Sequence, residues 1–284
     1  MKPNFLIIGA ARSGTTSLFQ YLDPHPQVYM SQVKELNFFS NEKYWKKGFE
    51  WYESRFSGAT DQTIAIGEAS TSYTKAPFTE DVPKRIYDYN PDMKIIYVVR
   101  DPIDRYISHY LKRTQTGLES RSFEKTLVAL NNEPCAWQGL YHYQINNYLN
   151  YFHQDNILII SIDDLKSEPQ KTVGYIYKFL GLNHKFIAEG IEKHHNVTKN
   201  VVRKGKTGAK IAEFYRKNME QRNIPFKIKS MIVSLSDIGG EVVCKPSPSA
   251  TNFSLLANFF SDDTKKLAED FNIDTSTWLR RKQR

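Results

Sequence analysis

Two cysteines, Cys135 and Cys244, are all that the 284 residues contain, and neither has neighbours at metal-ligand spacing. This excludes a disulfide framework and a cysteine zinc site, and two buried, reduced thiols are expected instead. Long hydrophobic runs are missing as well. The longest uncharged apolar stretches, 5–11 and 157–162, stop far short of the ~20 residues that a membrane span requires. No charged-then-apolar leader precedes Phe5, so the expected location is cytoplasmic, without a transmembrane segment. On that expectation the glycosylation-like triplets Asn196-Val197-Thr198 and Asn252-Phe253-Ser254 are coincidences. Internal repeats and low-complexity tracts are also absent.

What the chain does have is a globular balance of 40% hydrophobic and 25% charged residues, enough for one domain spanning residues 1–284. The net charge of +8 is unevenly spread. Residues 203–229 hold nine Lys and Arg against Glu213 and Glu220, and the remainder is nearly neutral. A nucleic-acid-binding surface over the whole molecule is therefore not expected. A local basic face is, with Ile211, Phe214, Tyr215 and Met219 interleaved among the cations. Such a face suits an acceptor entrance or an anionic surface, or else is a solvated helix.

Apolar runs and helical patterns alternate along the chain. Phe5-Leu6-Ile7-Ile8 stops at Gly9, and after a loop the apolar residues of 17–22 recur at helical spacing before Pro24 and Pro26. The run 94–99 ends at Arg100-Asp101-Pro102, and a helical pattern resumes over 103–112 with Pro102 at its start. A third run, 157–162, leads through Asp163-Asp164 to an amphipathic stretch over 170–180 that closes on Gly181. Residues 230–250 read as turn-rich and irregular, and helical periodicity returns over 254–271. Buried runs of this length between helices predict the α/β class: a central parallel sheet flanked by helices, with ligands at the carboxyl ends of the strands.

Gly9-Ala10-Ala11-Arg12-Ser13-Gly14-Thr15-Thr16 has the spacing of a phosphate-binding loop between a strand and a helix. Thr15 stands where an ATPase or kinase carries the lysine that reaches the β- and γ-phosphates, and the cation sits inside the loop at Arg12. This loop resembles the 5′-phosphosulfate loop of sulfotransferases that use 3′-phosphoadenosine 5′-phosphosulfate (PAPS). Arg100 with Ser108 is similar to that family's 3′-phosphate site, and Lys34-Glu35-Leu36-Asn37-Phe38-Phe39 to the acidic segment of its heparan-sulfate-type and bacterial members. Weaker likeness continues through Gly67–Tyr73, Ser167-Glu168-Pro169, Phe179-Leu180-Gly181-Leu182 and Trp278.

The resemblance implies a PAPS-dependent enzyme that moves a sulfuryl group to a hydroxyl or amine of a small-molecule acceptor, without a metal. It implies that Arg12 neutralises the leaving 5′-phosphate while Ser13, Gly14, Thr15 and Thr16 hold it, and that Arg100 and Ser108 hold the 3′-phosphate. Arg203, Lys204 and Gly205 resemble the basic loop that closes over the nucleotide. Glu35 is the implied base, and a carboxylate beside Phe38 and Phe39 is expected to have a raised pKa. Two departures stand out. Ala69 replaces a lysine common after the glutamate that matches Glu68, leaving Lys34 or Arg12 to supply that charge. The histidine base of small-molecule sulfotransferases has several candidates here, His25, His109, His142 and the His194-His195 pair. Other readings are a silent PAPS- or phosphate-binding module and, with Asp163-Asp164 as a magnesium carboxylate pair, a P-loop kinase.

Overall fold

The computed structural model describes residues 1–79, 81–188, 191, 201–218 and 226–281. Five parallel strands, β1 (Phe5–Gly9), β2 (Val28–Met30), β3 (Ala65–Ala69), β4 (Lys94–Val99) and β5 (Ile157–Ser161), form a sheet in the order β2-β3-β1-β4-β5. Each residue of β1 and all but Lys94 of β4 are buried, the pattern of central strands covered on both faces. Their side chains alternate between two layers. Phe5, Ile7, Ile96 and Val98 face Leu18, Leu22, Val173 and Ile176 of the helices Thr15–Leu22 and Pro169–Phe179. Leu6, Ile8, Ile95, Tyr97 and Val99 face a mainly aromatic layer that includes Phe38, Phe39, Tyr52, Tyr73, Tyr141 and Tyr148.

The helix Pro102–Gln115 starts as its sequence predicts, with proline in the first turn and the Asp101 carboxylate accepting from the Asp104 N–H at 2.9 Å. The α/β reading thus holds, and the chain's two short strands extend it. β3 reads Ala-Ile-Gly-Glu-Ala, which carries no strand signal. Its glycine is there for packing: a Cβ on Gly67 would lie 2.5 Å from the Phe5 carbonyl oxygen and 2.6 Å from the Phe5 ring.

Two expectations are corrected. Residues 230–250 are not irregular throughout, because the helix Phe226–Asp237 runs into them and β7 (Glu241–Val243) pairs antiparallel with β6 (Val201–Arg203). Apolar residues at 228, 231, 232 and 235 keep helical spacing despite the serines between them. Cys135 is buried as expected, but Cys244 is exposed, since the short β6–β7 ribbon lies outside both core layers.

The long helix Ala250–Phe271 packs through buried Leu256, Phe260 and Leu267 and is tied to its neighbour by the part-buried carboxylate of Asp263. Asp263 accepts from the His142 N–H at 3.0 Å and the Tyr143 N–H at 2.8 Å, capping the helix Tyr141–Leu149 from outside. Burial pushes its pKa up to about 6. Asp263→Ala leaves both N–H groups without that acceptor and is expected to destabilise the fold by about 1–3 kcal/mol in urea unfolding, with Asp263→Asn recovering part of the loss.

A second carboxylate, Glu68 of β3, is wholly buried. Its Oε1 accepts from Tyr73 Oη at 2.5 Å and Tyr52 Oη at 3.2 Å, and its Oε2 from Ser70 Oγ at 2.6 Å. Burial outweighs these bonds and pushes its pKa up to about 7. A carboxyl whose folded pKa is raised binds its proton more tightly in the folded chain. Its contribution is therefore fully present below about pH 4.5 and is lost as pH rises through about 7. Between pH 5 and pH 8 the stability of the wild type should fall relative to Glu68→Gln by on the order of 3 kcal/mol. A gap between the two proteins that is independent of pH would contradict the raised pKa.

Candidate active site

β1 leaves the sheet at Gly9, and a five-residue loop carries the chain to the helix Thr15–Leu22. A Cβ on Gly9 would sit 2.4 Å from Thr74 Oγ1, so only glycine lets the segment after β3 lie against the end of β1. The loop is braced from within. Ala10 N–H donates to the Val98 carbonyl at 2.7 Å and Ser13 N–H to the Ala10 carbonyl at 3.1 Å. Gly14, at φ 91°, turns the chain into the helix, whose first N–H groups lie beyond the reach of intrahelical acceptors. Ser13 is fully buried, so its side chain shapes the loop from inside, whereas Thr16 is exposed.

Arg12 takes left-handed backbone, φ 72°, and its Nε donates to Ser108 Oγ at 3.1 Å across 96 residues of sequence. Arg100, just past β4, donates from Nη1 to the Arg12 carbonyl at 3.2 Å and lies 3.8 Å from Asp104. Three residues picked from two motifs therefore meet at the carboxyl ends of β1 and β4. Burial, and then the Arg100 charge, push the Arg12 pKa down. An anion placed between the two guanidinium groups would relieve both effects.

Glu35 approaches from the other side of β1. It too has left-handed backbone, φ 63°, as has Asn37 at φ 53°. Its N–H donates to the Ala69 carbonyl at 2.9 Å, which ties this turn to the end of β3. Its carboxylate accepts from Thr71 N–H at 2.9 Å and from Lys34 Nζ at 2.6 Å. Asn37 N–H donates to Ser70 Oγ at 2.9 Å, and Ser70 in turn donates to Glu68, so the buried carboxylate braces the turn that presents Glu35. Phe38 and Phe39 point away into the core, with Phe38 stacked on Tyr52 at 4.5 Å. The raised carboxyl in this region is Glu68's.

The histidine candidates separate by location. His25 is buried at the amino end of β2 between Tyr177 and Phe186, at the opposite end of the sheet from the loop. His142 is engaged by Asp270 at 2.7 Å and Asn146 at 3.2 Å on the face that meets the C-terminal helix. The pair His194-His195 lies outside the described residues. Among the described candidates, His109 adjoins the site. Arg105, which can only donate, bonds its Nδ1 at 3.2 Å, and that assigns the proton to Nε2. Burial, with the charges of Arg105, Arg113, Lys75 and Arg12, holds its pKa well below the usual histidine range. It is a neutral hydrogen-bond donor. Lys75 and Arg105 carried no motif signal; their place becomes visible only once the segment after β3 is laid beside the helix Pro102–Gln115.

Arg203 donates to Glu241 at 2.9 Å and to Tyr110 Oη at 3.0 Å. Lys204 donates to Asp237 and to Ser236, each at 2.5 Å, and Gly205 follows beside Gly239. Tyr110 lies roughly 12 Å along its helix from Pro102, so these residues fasten the β6–β7 ribbon beyond Ser108 and away from Arg100. The stretch 210–229 lies partly outside the described residues, and within it Phe214 is exposed. Asp163 pairs with Lys166 at 3.9 Å, and among the described residues no three His, Cys, Asp or Glu side chains gather as a metal site. No helix among them is long and apolar enough to cross a membrane.

Known proteins resemble this chain in sequence and in fold. The chain is 31% identical over 190 residues to mouse heparan sulfate glucosamine 3-O-sulfotransferase 5, an alignment that covers 63% of this chain and 54% of that protein. It is 34% identical over 187 residues to mouse heparan sulfate glucosamine 3-O-sulfotransferase 6, covering 63% and 52%. It thus spans about half the length of these relatives. A crystal structure of a sulfotransferase from Alicyclobacillus acidocaldarius has the same fold, with a TM-score of 0.70 at 24% identity over 99% of this chain and 100% of that one. The sulfotransferase domain matches residues 2–230, well over half of the sequence, and the chain belongs to the PAPS-dependent sulfotransferase family.

Proposed function

We propose that this site transfers a sulfuryl group from PAPS to a hydroxyl or amine of a small acceptor molecule. The observation that carries the reading is the convergence, at one end of β1, of two part-buried guanidinium groups with a carboxylate held on the opposite side. In this reading Arg12 and the N–H groups of Gly14, Thr15 and Thr16 hold the 5′-phosphate, with Ser13 keeping the loop in shape, and Arg100 and Ser108 hold the 3′-phosphate. Arg203, Lys204 and Gly205 act from farther away, by anchoring the β6–β7 ribbon against the helix that carries Ser108.

Glu35 takes the proton of the acceptor hydroxyl or amine as the acceptor atom bonds to sulfur. The bond from sulfur to the bridging oxygen breaks, its electron pair stays on the 5′-phosphate, and adenosine 3′,5′-bisphosphate is released. Arg12 offsets the charge that grows on that phosphate. Every cation in this scheme is a side chain, and no metal takes part. Besides the glucosamine 3-O-sulfotransferases, the relatives include the mouse bifunctional heparan sulfate N-deacetylase/N-sulfotransferase 4, 30% identical over 198 residues, which supports a hydroxyl or an amine as the acceptor group.

Adenosine 3′,5′-bisphosphate should raise the melting temperature without added metal, and Arg100→Ala should abolish most of that shift. An equal shift with AMP would remove the 3′-phosphate from the assignment. Glu35→Gln should lower turnover by ~10²–10⁴ while bisphosphate affinity stays near wild type, which also separates an enzyme from a silent nucleotide-binding module. Full turnover in Glu35→Gln, with His109→Ala inactive but still binding the bisphosphate, would make the imidazole the base.

A further inference from the structure

Lys75 is a part-buried cation with no function in the scheme above. Among the described residues its Nζ has neither a hydrogen-bond nor an ion-pair partner, although burial pushes its pKa down. An ammonium taken out of water without a counter-charge is costly, and chains rarely keep one unless something else supplies the charge. The surroundings do so only in part. The Glu35 charge draws on Lys75, but no hydrogen bond or ion pair joins the two among the described residues, and the Glu35 oxygens are bonded by Lys34 Nζ and by the Thr71 N–H and hydroxyl. Arg113 repels Lys75, and Lys75 is in turn one of the four cations around the neutral ring of His109.

Its place in the chain is equally specific. Thr71 holds the Glu35 carboxylate, and Thr74, immediately before Lys75, donates to the Ile8 carbonyl at 3.3 Å on the end of β1. Lys75 is therefore rooted between the turn that presents Glu35 and the start of the phosphate loop. In a transfer from a phosphate held at that loop to an acceptor atom beside Glu35, the sulfuryl group passes between these two points. Its three non-bridging oxygens carry negative charge throughout. We infer that Lys75 Nζ is a ligand for a non-bridging oxygen of the transferring sulfuryl group, so that it recognises the charged donor and not the spent nucleotide. This assignment rests on the sulfuryl-transfer reading of the same site.

The test uses the two nucleotides and needs no acceptor. Dissociation constants for PAPS and for adenosine 3′,5′-bisphosphate are measured by calorimetry on the wild type, Lys75→Ala and Lys75→Arg. Lys75→Ala is expected to weaken PAPS roughly tenfold to a hundredfold while leaving the bisphosphate unchanged, which also shows that the variant is folded. Lys75→Arg, which keeps the charge, is expected to stay within about threefold of wild type for both. Equal losses for the two nucleotides in Lys75→Ala, or no loss for either, would overturn the role of Lys75 while leaving the function standing. A wild type that binds neither nucleotide would overturn the function and this inference together.

Discussion

Thr74 lies where a side chain on residue 9 would have to go. That contact sets the distance between two halves of the molecule that are remote in sequence. With glycine at the end of β1, the segment after β3 closes over the strand: Ser70 N–H donates to the Ile7 carbonyl at 3.1 Å, and Thr74 Oγ1 to Ile8. The Glu35 turn is hung on this segment through Ala69 and Thr71, and Arg12 follows Gly9 by three residues. A bulkier residue at the strand end would force the segment outward and move the carboxylate away from the cations. The parallel order β2-β3-β1-β4-β5 makes this economical, because strands on both sides of β1 end at the same edge of the sheet.

The electrostatics follow from where the carboxylates are kept. Glu68 is held by hydroxyl groups of Tyr52, Tyr73 and Ser70 instead of cations, and burial pushes its pKa up to about 7. Glu35 is matched by Lys34. Arg12, Lys75, Arg105 and Arg113 act together on the His109 ring, and this part of the molecule carries a positive field. Such a field raises the cost of folding and lowers the cost of binding a nucleotide that bears several negative charges. The same balance explains why the hydroxyl bonds to Glu68 matter: a carboxylate free to swing toward Arg12 would cancel the field where an anion has to enter.

Elements that were legible in the sequence are those whose signal is internal to them. Five consecutive apolar residues, a proline at the first helical position and glycines bounding a loop specify β4, the helix Pro102–Gln115 and the loop after β1 without reference to anything else. What was not legible depends on a partner. β3 takes part in the sheet with glycine and glutamate in its middle because Phe5 fills the space over Gly67 and three hydroxyl groups await Glu68. Phe38 and Phe39 follow Glu35 closely in sequence yet pack into the core, since neighbouring residues in an irregular turn point in unrelated directions. Lys75 has no motif at all, and a lone lysine in a sequence is indistinguishable from a surface one until its partners are known to be missing.

The same dependence on partners decides what His109 can do. An imidazole acts as a base through a lone pair, and the lone pair on Nδ1 is already occupied by an Arg105 proton. The other nitrogen bears hydrogen, so accepting a proton would first require Arg105 to let go. It would then place an imidazolium among four cations in a buried recess, and the depressed pKa expresses that penalty. Glu35 meets neither obstacle, because a carboxylate has several acceptor sites and loses charge on protonation instead of adding to a crowd of like charges. What remains to His109 is the Nε2–H, a donor fixed in direction by Arg105 and suited to an oxygen that carries negative charge. On the proposed reading, the cations and the neutral ring serve one end: both present protons toward an anion, and the task of removing one falls to the carboxylate on the opposite side of β1.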